Sequence, residues 1–282
     1  MGTIADRMKQ DLTRAGLAEI TRKHYLADAK ALVVCFRRPP AELTQDDLRH
    51  HLTMLEHRPI GVSRVQRHLA AIKFLFAKTL GQPEKVAWIT FPSPPRRLPT
   101  ILTQVQIKAL FEALELPVLR VIAMVLYATG LRISEACSLK VADIDSTRMV
   151  IRTVGKGNKE RLTVLSPVLL QVLRAYWAAE RPALPYLFTN KRSKFGRPIS
   201  PDKVELAVRL ARQIAGIKTR VTPHVLRHSF ATHLHEAGTE LSVIQQLLGH
   251  TNLQTTTRYV QVSTRMIQAV KSPLDSIELP LA

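Results

Sequence analysis

The sequence predicts two mainly α-helical domains, the second carrying a small antiparallel β-sheet. Three observations lead there. Apolar residues recur at helical spacing through most of the chain, and the stretch "ITFPSPPRRLPT" at 89–100, with four prolines and no periodicity, interrupts them. The segment "MVIRTVGKGNKERLTVL" sets β-branched runs on either side of a glycine-containing turn, the pattern of a hairpin with a longer loop. A length of 282 residues suits two cores better than one.

Before the prolines, the clearest element is "SRVQRHLAAIKFLFAKTLG", where Val65, Leu69, Ile72 and Phe76 form an i, i+4, i+7, i+11 stripe. Ser63 is positioned to cap its start and Gly81 to stop its end. Arg64, Arg67, His68 and Lys73 fall outside the stripe, on a face that is either solvated or turned toward a polyanion. Residues 89–100 form the boundary between a helical domain at 1–88 and a second at 101–282, and Arg96 and Arg97 within it are further candidates for phosphate contact. Beyond it, "LTQVQIKALFEAL" begins with a capping Thr103, and "LPVLRVIAMVLYATG" reads as a buried helix ended by Gly130. The hairpin follows, and the remainder returns to helices.

Charge narrows the class of partner. Lys and Arg number 41 against 22 Asp and Glu, a net charge of +19. Residues 1–98 hold 17 basic and 9 acidic side chains and residues 99–282 hold 24 and 13, so no basic tail explains the excess. Both parts are expected to face one polyanion, which favours nucleic acid over a membrane surface. The two cysteines, Cys35 and Cys137, lie in apolar or helical runs and read as reduced, buried thiols of a cytoplasmic protein. No apolar run approaches a membrane span, and "MGTIADRMKQ" lacks the apolar core of a secretory signal.

Three segments have the residue types for chemistry. In "TPHVLRHSFATHLHEAGTELSVIQQLLGH", Thr222 is a candidate N-cap and Pro223 suits the first helical position. His224 then falls in the opening turn and Arg227 one turn later on the same side, with Leu226, Phe230, Leu234 and Ala237 on the apolar side. A helix start presenting His and Arg beside free N–H groups is suited to a phosphate. A helix-turn-helix DNA reader with Gly238 in the turn, a metal pair at His224 and His228, and ordinary surface or core histidines fit that segment equally. In "ATGLRISEACSLK", Arg132 sits at a break between a glycine stop and a new helix starting at Ser134. Its anionic partner is either Glu135 or a substrate phosphate. In "GKGNKER", Lys156 and Lys159 occupy a hairpin tip; the spacing is not that of a nucleotide-binding GxxxxGK loop. Tyr259 closes the series, behind the polar stretch "GHTNLQTTTRYV".

In order, "TGLRISE", "GKGNKER", "HVLRHSFATHL", "LLGH" and "TTTRYV" resemble the tyrosine recombinase or phage integrase family, in particular its Xer-like and integron-integrase-like members. The resemblance covers nearly the whole chain. It implies an N-terminal helical core-binding domain of SAM-like fold, the proline linker, and a tyrosine recombinase catalytic domain ending in a C-terminal tail. It also implies an active site of Arg132, Lys156, His224, Arg227, His250 and Tyr259, with Lys159 a rival to Lys156. The implied reaction is site-specific cutting and rejoining of double-stranded DNA through a covalent 3'-phosphotyrosine and a Holliday junction, without metal, ATP or other cofactor. The rival readings are a helix-turn-helix regulator that binds DNA and never cuts it, and a metal-dependent nuclease that a chelator would silence. By the same likeness the chain, a monomer when free, assembles as a homotetramer on synapsed DNA. The tail after Tyr259 docks on a neighbouring protomer or packs on its own domain.

The residue types suit that chemistry. Attack of a phenol oxygen on a phosphodiester builds charge on the nonbridging oxygens, and the fixed forks of Arg132 and Arg227 stabilise such charge without a metal. A free phenol has a pKa near 10, so a phosphate-bound, cation-rich site must favour its deprotonation in the transition state. The resemblance adds Tyr259 as nucleophile, His224 as its base, Lys156 as the acid on the departing 5'-oxygen, and His250 as a phosphate hydrogen-bond donor.

Overall fold

A computed structural model of the chain describes residues 2–57, 60–92, 99–155, 160–190 and 196–249, which fall into two compact units, Met1–Arg96 and Arg97–Ala282. Arg96, Arg97, Lys156, Lys159, His250, Tyr259 and the tail beyond lie outside the described residues.

The N-terminal unit is built from α1 (Gly2–Arg14), α2 (Glu19–Phe36), α3 (Gln45–Glu56) and α4 (Val62–Phe74). The last continues into a wider π-type turn, Leu75–Leu80, and Gly81 ends it in the left-handed conformation expected of such a stop. Thr44 and Asp47 cap α3 reciprocally, each side chain taking the other residue's backbone N–H. The core gathers Met8, Leu12, Leu32, Leu48, Leu69, Ile72 and Phe76. Ile89 packs into the same core, 3% exposed, so the packed unit runs past residue 88 into the segment read as linker.

Three sequence expectations change here. Gly61, not Ser63, occupies the N-cap of α4, and the helix begins at Val62. Cys35 is exposed rather than buried; only Cys137 is an interior thiol, and burial pushes its pKa up to about 12. The polar face of α4 is partly internal, because it packs against α2. His68 is buried, with its Nε2 2.9 Å from His51 Nε2 and its Nδ1 3.3 Å from Asp28 Oδ1. Arg67 donates from Nε to the same carboxylate at 2.9 Å. Lys73 donates to the Ile89 carbonyl and lies 5.5 Å from the centre of the Phe91 ring. Of the charged residues on this helix named for DNA, Arg64 is exposed, whereas Arg67 and Lys73 already hold intramolecular partners.

The second unit begins with α5 (Gln104–Glu112), capped by Thr103 and Gln106 in a reciprocal box. Next comes α6 (Pro117–Thr129), whose Ile122, Ala123, Val125 and Leu126 are fully buried and which packs against α8 (Pro167–Glu180), α9 (Pro201–Ile214) and α10 (Pro223–Glu236). Between α6 and α8 stand the short α7 (Ile133–Cys137) and a sheet of β1 (Ile144–Asp145), β2 (Val150–Val154) and β3 (Glu160–Val164). The sheet has order β1-β2-β3, all antiparallel, with Val150 opposite Val164 and Val154 opposite Glu160. Thr163 ties it to the end of α6 by donating to the Thr129 carbonyl at 2.7 Å. Last of the described elements is α11 (Leu241–Leu248), which joins Phe230, Ala231, Ile244 and Leu248 in a small core of its own. The apolar side of α10 stops at the partly buried Leu234; Ala237, expected there, is exposed. Among the described residues no helix is long and apolar enough to cross a membrane.

Candidate active site

Gly130 fixes the local geometry. Its φ of +65° ends α6 in the left-handed conformation, and a Cβ built on it would lie 2.5 Å from Phe230 Cδ1 and 2.8 Å from Leu248 Cδ2. Only a residue without a side chain lets α10 and α11 close over the end of α6. Gly130→Ala combines left-handed strain with overpacking and is expected to destabilise the protein by about 2–5 kcal/mol. Denaturant unfolding checks this, and an unchanged midpoint would contradict it.

Arg132 follows two residues later at the N-cap position of α7, which begins at Ile133, one residue before the predicted Ser134. Its backbone N–H donates to Glu135 Oε2 at 2.8 Å and its Nη1 to Glu135 Oε1 at 2.9 Å, so the carboxylate fixes both main chain and side chain. The Arg132 side chain nonetheless keeps 32% exposure, against 6% for Glu135. It therefore has its protein anion and an accessible flank as well.

A second cation shares that carboxylate. Arg161 on β3 donates from Nη1 to Oε1 at 3.0 Å and from Nη2 to Oε2 at 2.6 Å, a bidentate pair. Burial pushes the Glu135 carboxyl up, but Arg161 and the Arg132 backbone and side chain outweigh it and hold it below the usual carboxylate range. Sequence reasoning passed over Arg161. The strand alternation of "ERLTV" does place it on the inner face with Thr163, while Leu162 and Val164 point outward; the apolar residues on the exposed side mask that signal.

Arg227 on α10 is 2% exposed. Its Nη1 donates to the Gly130 carbonyl and its Nη2 to the Leu248 carbonyl at 2.7 Å, joining the ends of α6 and α11. His224 lies one turn earlier, in the opening turn started by Pro223; Thr222 is the N-cap but its side chain makes no capping hydrogen bond. The His224 imidazole keeps an exposed edge and stacks on His228 with centroids 5.5 Å apart. Partial burial, and then the charges of Arg227 and Arg132, hold its pKa below the usual histidine value. The Arg227 bond to the Gly130 carbonyl brings the start of α10, with His224, to the end of α6 and the Arg132 segment, which are far apart in sequence. Two guanidinium groups and an imidazole whose charged form is disfavoured lie at these helix ends, residue types that suit an anion that gains charge during reaction. Among the described residues no group of three or more His, Cys, Asp or Glu is placed to hold a metal.

Comparison with known proteins decides the family. Residues 100–266 match the family model described as phage integrase family, and residues 4–85 match that of the phage integrase N-terminal SAM-like domain. The chain belongs to the phage integrase family. Among its relatives, a putative integrase/recombinase of Sinorhizobium fredii, y4qK, is 35% identical over 99% of this chain and 91% of its own. The tyrosine recombinase XerA of Pyrococcus furiosus is 35% identical over 80% of this chain and 79% of its own. A solved integrase of transposon Tn1549, in complex with circular intermediate DNA, shares the fold with a TM-score of 0.72 at 17% identity, covering 94% of this chain and 98% of that one. As a tyrosine recombinase of the phage integrase family, the protein is an enzyme that breaks and rejoins DNA, not a non-cutting helix-turn-helix regulator.

Proposed function

We propose that this phage integrase acts on double-stranded DNA with Arg132, Lys156, His224, Arg227, His250 and Tyr259 as its reacting set. The observation that carries the proposal is the Arg227 bond to the Gly130 carbonyl, two residues before Arg132, which brings the opening turn of α10 and its His224 to that segment. In this reading the scissile phosphate sits between the two guanidinium groups, whose forks take up the charge on its nonbridging oxygens. The Tyr259 oxygen attacks phosphorus, the 5'-oxygen leaves with a proton from Lys156, and a 3'-phosphotyrosine keeps the bond energy for rejoining. His250 donates to the phosphate. His224 accepts the phenol proton; burial and the two arginines disfavour its protonated form, which keeps the imidazole able to accept.

The sign of that shift gives a pH expectation. Because the His224 pKa in the free protein lies below the usual histidine value, single-turnover cleavage at subsaturating DNA, whose pH dependence reports the free protein, should hold its rate as pH falls through 6.5 and decline only below it. A decline centred above 6.5 would remove His224 as the base.

DNA engagement by both units, with Arg64, Arg96 and Arg97 on the backbone and Arg67 and Lys73 reaching it in exchange for Asp28 and the Ile89 carbonyl, accords with an excess of basic residues in each half. Assembly as a homotetramer on synapsed DNA, from monomers in free solution, and action in the cytoplasm complete the proposal. The experiment is single-turnover cleavage of a nicked duplex in chelator over a range of salt. The proposal predicts a covalent protein–DNA product in chelator and binding that weakens steeply with salt. Cleavage abolished by chelator, or binding indifferent to salt, would count against it.

A further inference from the structure

Arg161 is held as few surface arginines are. Its side chain is 9% exposed, its Nη1 and Nη2 engage both oxygens of Glu135, and its Nε donates to the Leu247 carbonyl at 3.0 Å. Gly249 lies directly against it: a Cβ on that glycine, which has a φ of +63°, would meet Arg161 Cδ at 2.7 Å. One guanidinium from the sheet therefore grips two things at once. The first is the carboxylate that orients Arg132; the second is the last turn of α11, whose Leu248 carbonyl is also held by Arg227.

We propose that Arg161 is a positioning residue for strand cleavage, fixing the guanidinium of Arg132 through Glu135 and the end of α11 through the Leu247 carbonyl. It does not touch the phosphate. The proposal rests on the reading of Arg132 as a phosphate ligand. Lysine at this position keeps the charge but lacks the planar fork, so it cannot reproduce the bidentate pair and the carbonyl bond together. Glu135 then shifts relative to Arg132, and a displacement of about 1 Å in a group that stabilises the transition state costs on the order of 10²-fold in rate.

The test measures single-turnover cleavage of a nicked duplex, DNA affinity and thermal unfolding for the wild type, Arg132→Ala and Arg161→Lys. A second substrate carries a methylphosphonate at the scissile position, in which a methyl group replaces one nonbridging oxygen and the negative charge an arginine would meet is gone. Arg161→Lys is expected to bind DNA within about 3-fold of wild type and to cleave the phosphodiester on the order of 10²-fold more slowly. Its defect should shrink on the methylphosphonate, as that of Arg132→Ala does; a merely structural loss would be equal on both substrates. Should Arg161→Lys fail to fold, Arg161→Gln, which leaves Glu135 and its bond to Arg132 in place, is measured under the same expectation. A wild-type rate, or an equal defect on both substrates, overturns the role of Arg161 when Arg132→Ala is impaired. A wild-type rate in Arg132→Ala instead overturns the reading of the phosphate site itself.

Discussion

Tyr259→Phe is expected to bind duplex DNA as tightly as the wild type and to form no covalent adduct on a nicked substrate. Removing the phenol oxygen removes the only atom the proposed chemistry joins to phosphorus, so the cleavage rate should fall by on the order of 10⁴ to 10⁶. Affinity should be unaffected, because it comes chiefly from phosphate neutralisation by a chain whose net charge is +19. Gel shift and denaturing electrophoresis on the same samples separate the two quantities. A residual adduct in the variant would transfer the nucleophile to another side chain.

Arg227→Ala should lose both activity and stability, and Arg132→Ala activity alone. Removing either guanidinium is expected to slow cleavage by on the order of 10² to 10³, the effect of deleting one donor to a developing anion. Their structural settings differ. Arg227 is buried and supplies donors to the Gly130 and Leu248 carbonyls, and each acceptor left unpaired costs about 1–3 kcal/mol. Arg132 is partly exposed, and its loss still leaves Glu135 paired with Arg161. Thermal unfolding beside single-turnover rates should show a clear fall in Tm for Arg227→Ala and little for Arg132→Ala. Equal stability in the two variants would mean that the clamp on the ends of α6 and α11 contributes nothing.

Local rules account for what could be read directly. The buried run ending at Gly130, the Thr103 cap of α5 and the hairpin on either side of "GKGNK" each follow from a few neighbouring residues, and the structure has all three. The exceptions are tertiary. Periodicity placed His68 and Arg67 outside the apolar stripe of α4, but could not show that α2 brings Asp28 to meet them. Cys35 sits in an apolar run yet reaches solvent, because α2 buries a different side. At the site, the bond from Glu135 to Arg132 spans three residues and was a named alternative. The one to Arg161 spans 26, and the bond from Arg161 to Leu247 spans 86. Neither has a local signature beyond the inward alternation of β3.

The proposed chemistry turns on which atom carries the DNA. The direct measurement is to trap the wild-type protein on a nicked duplex in chelator, digest the adduct with protease and nuclease, and locate the remaining nucleotide by mass spectrometry. The expected result is a nucleotide linked through its 3'-phosphate to Tyr259, in the peptide containing "TTTRYV". A nucleotide on any other residue, or cleavage that leaves no protein-linked DNA, would contradict it.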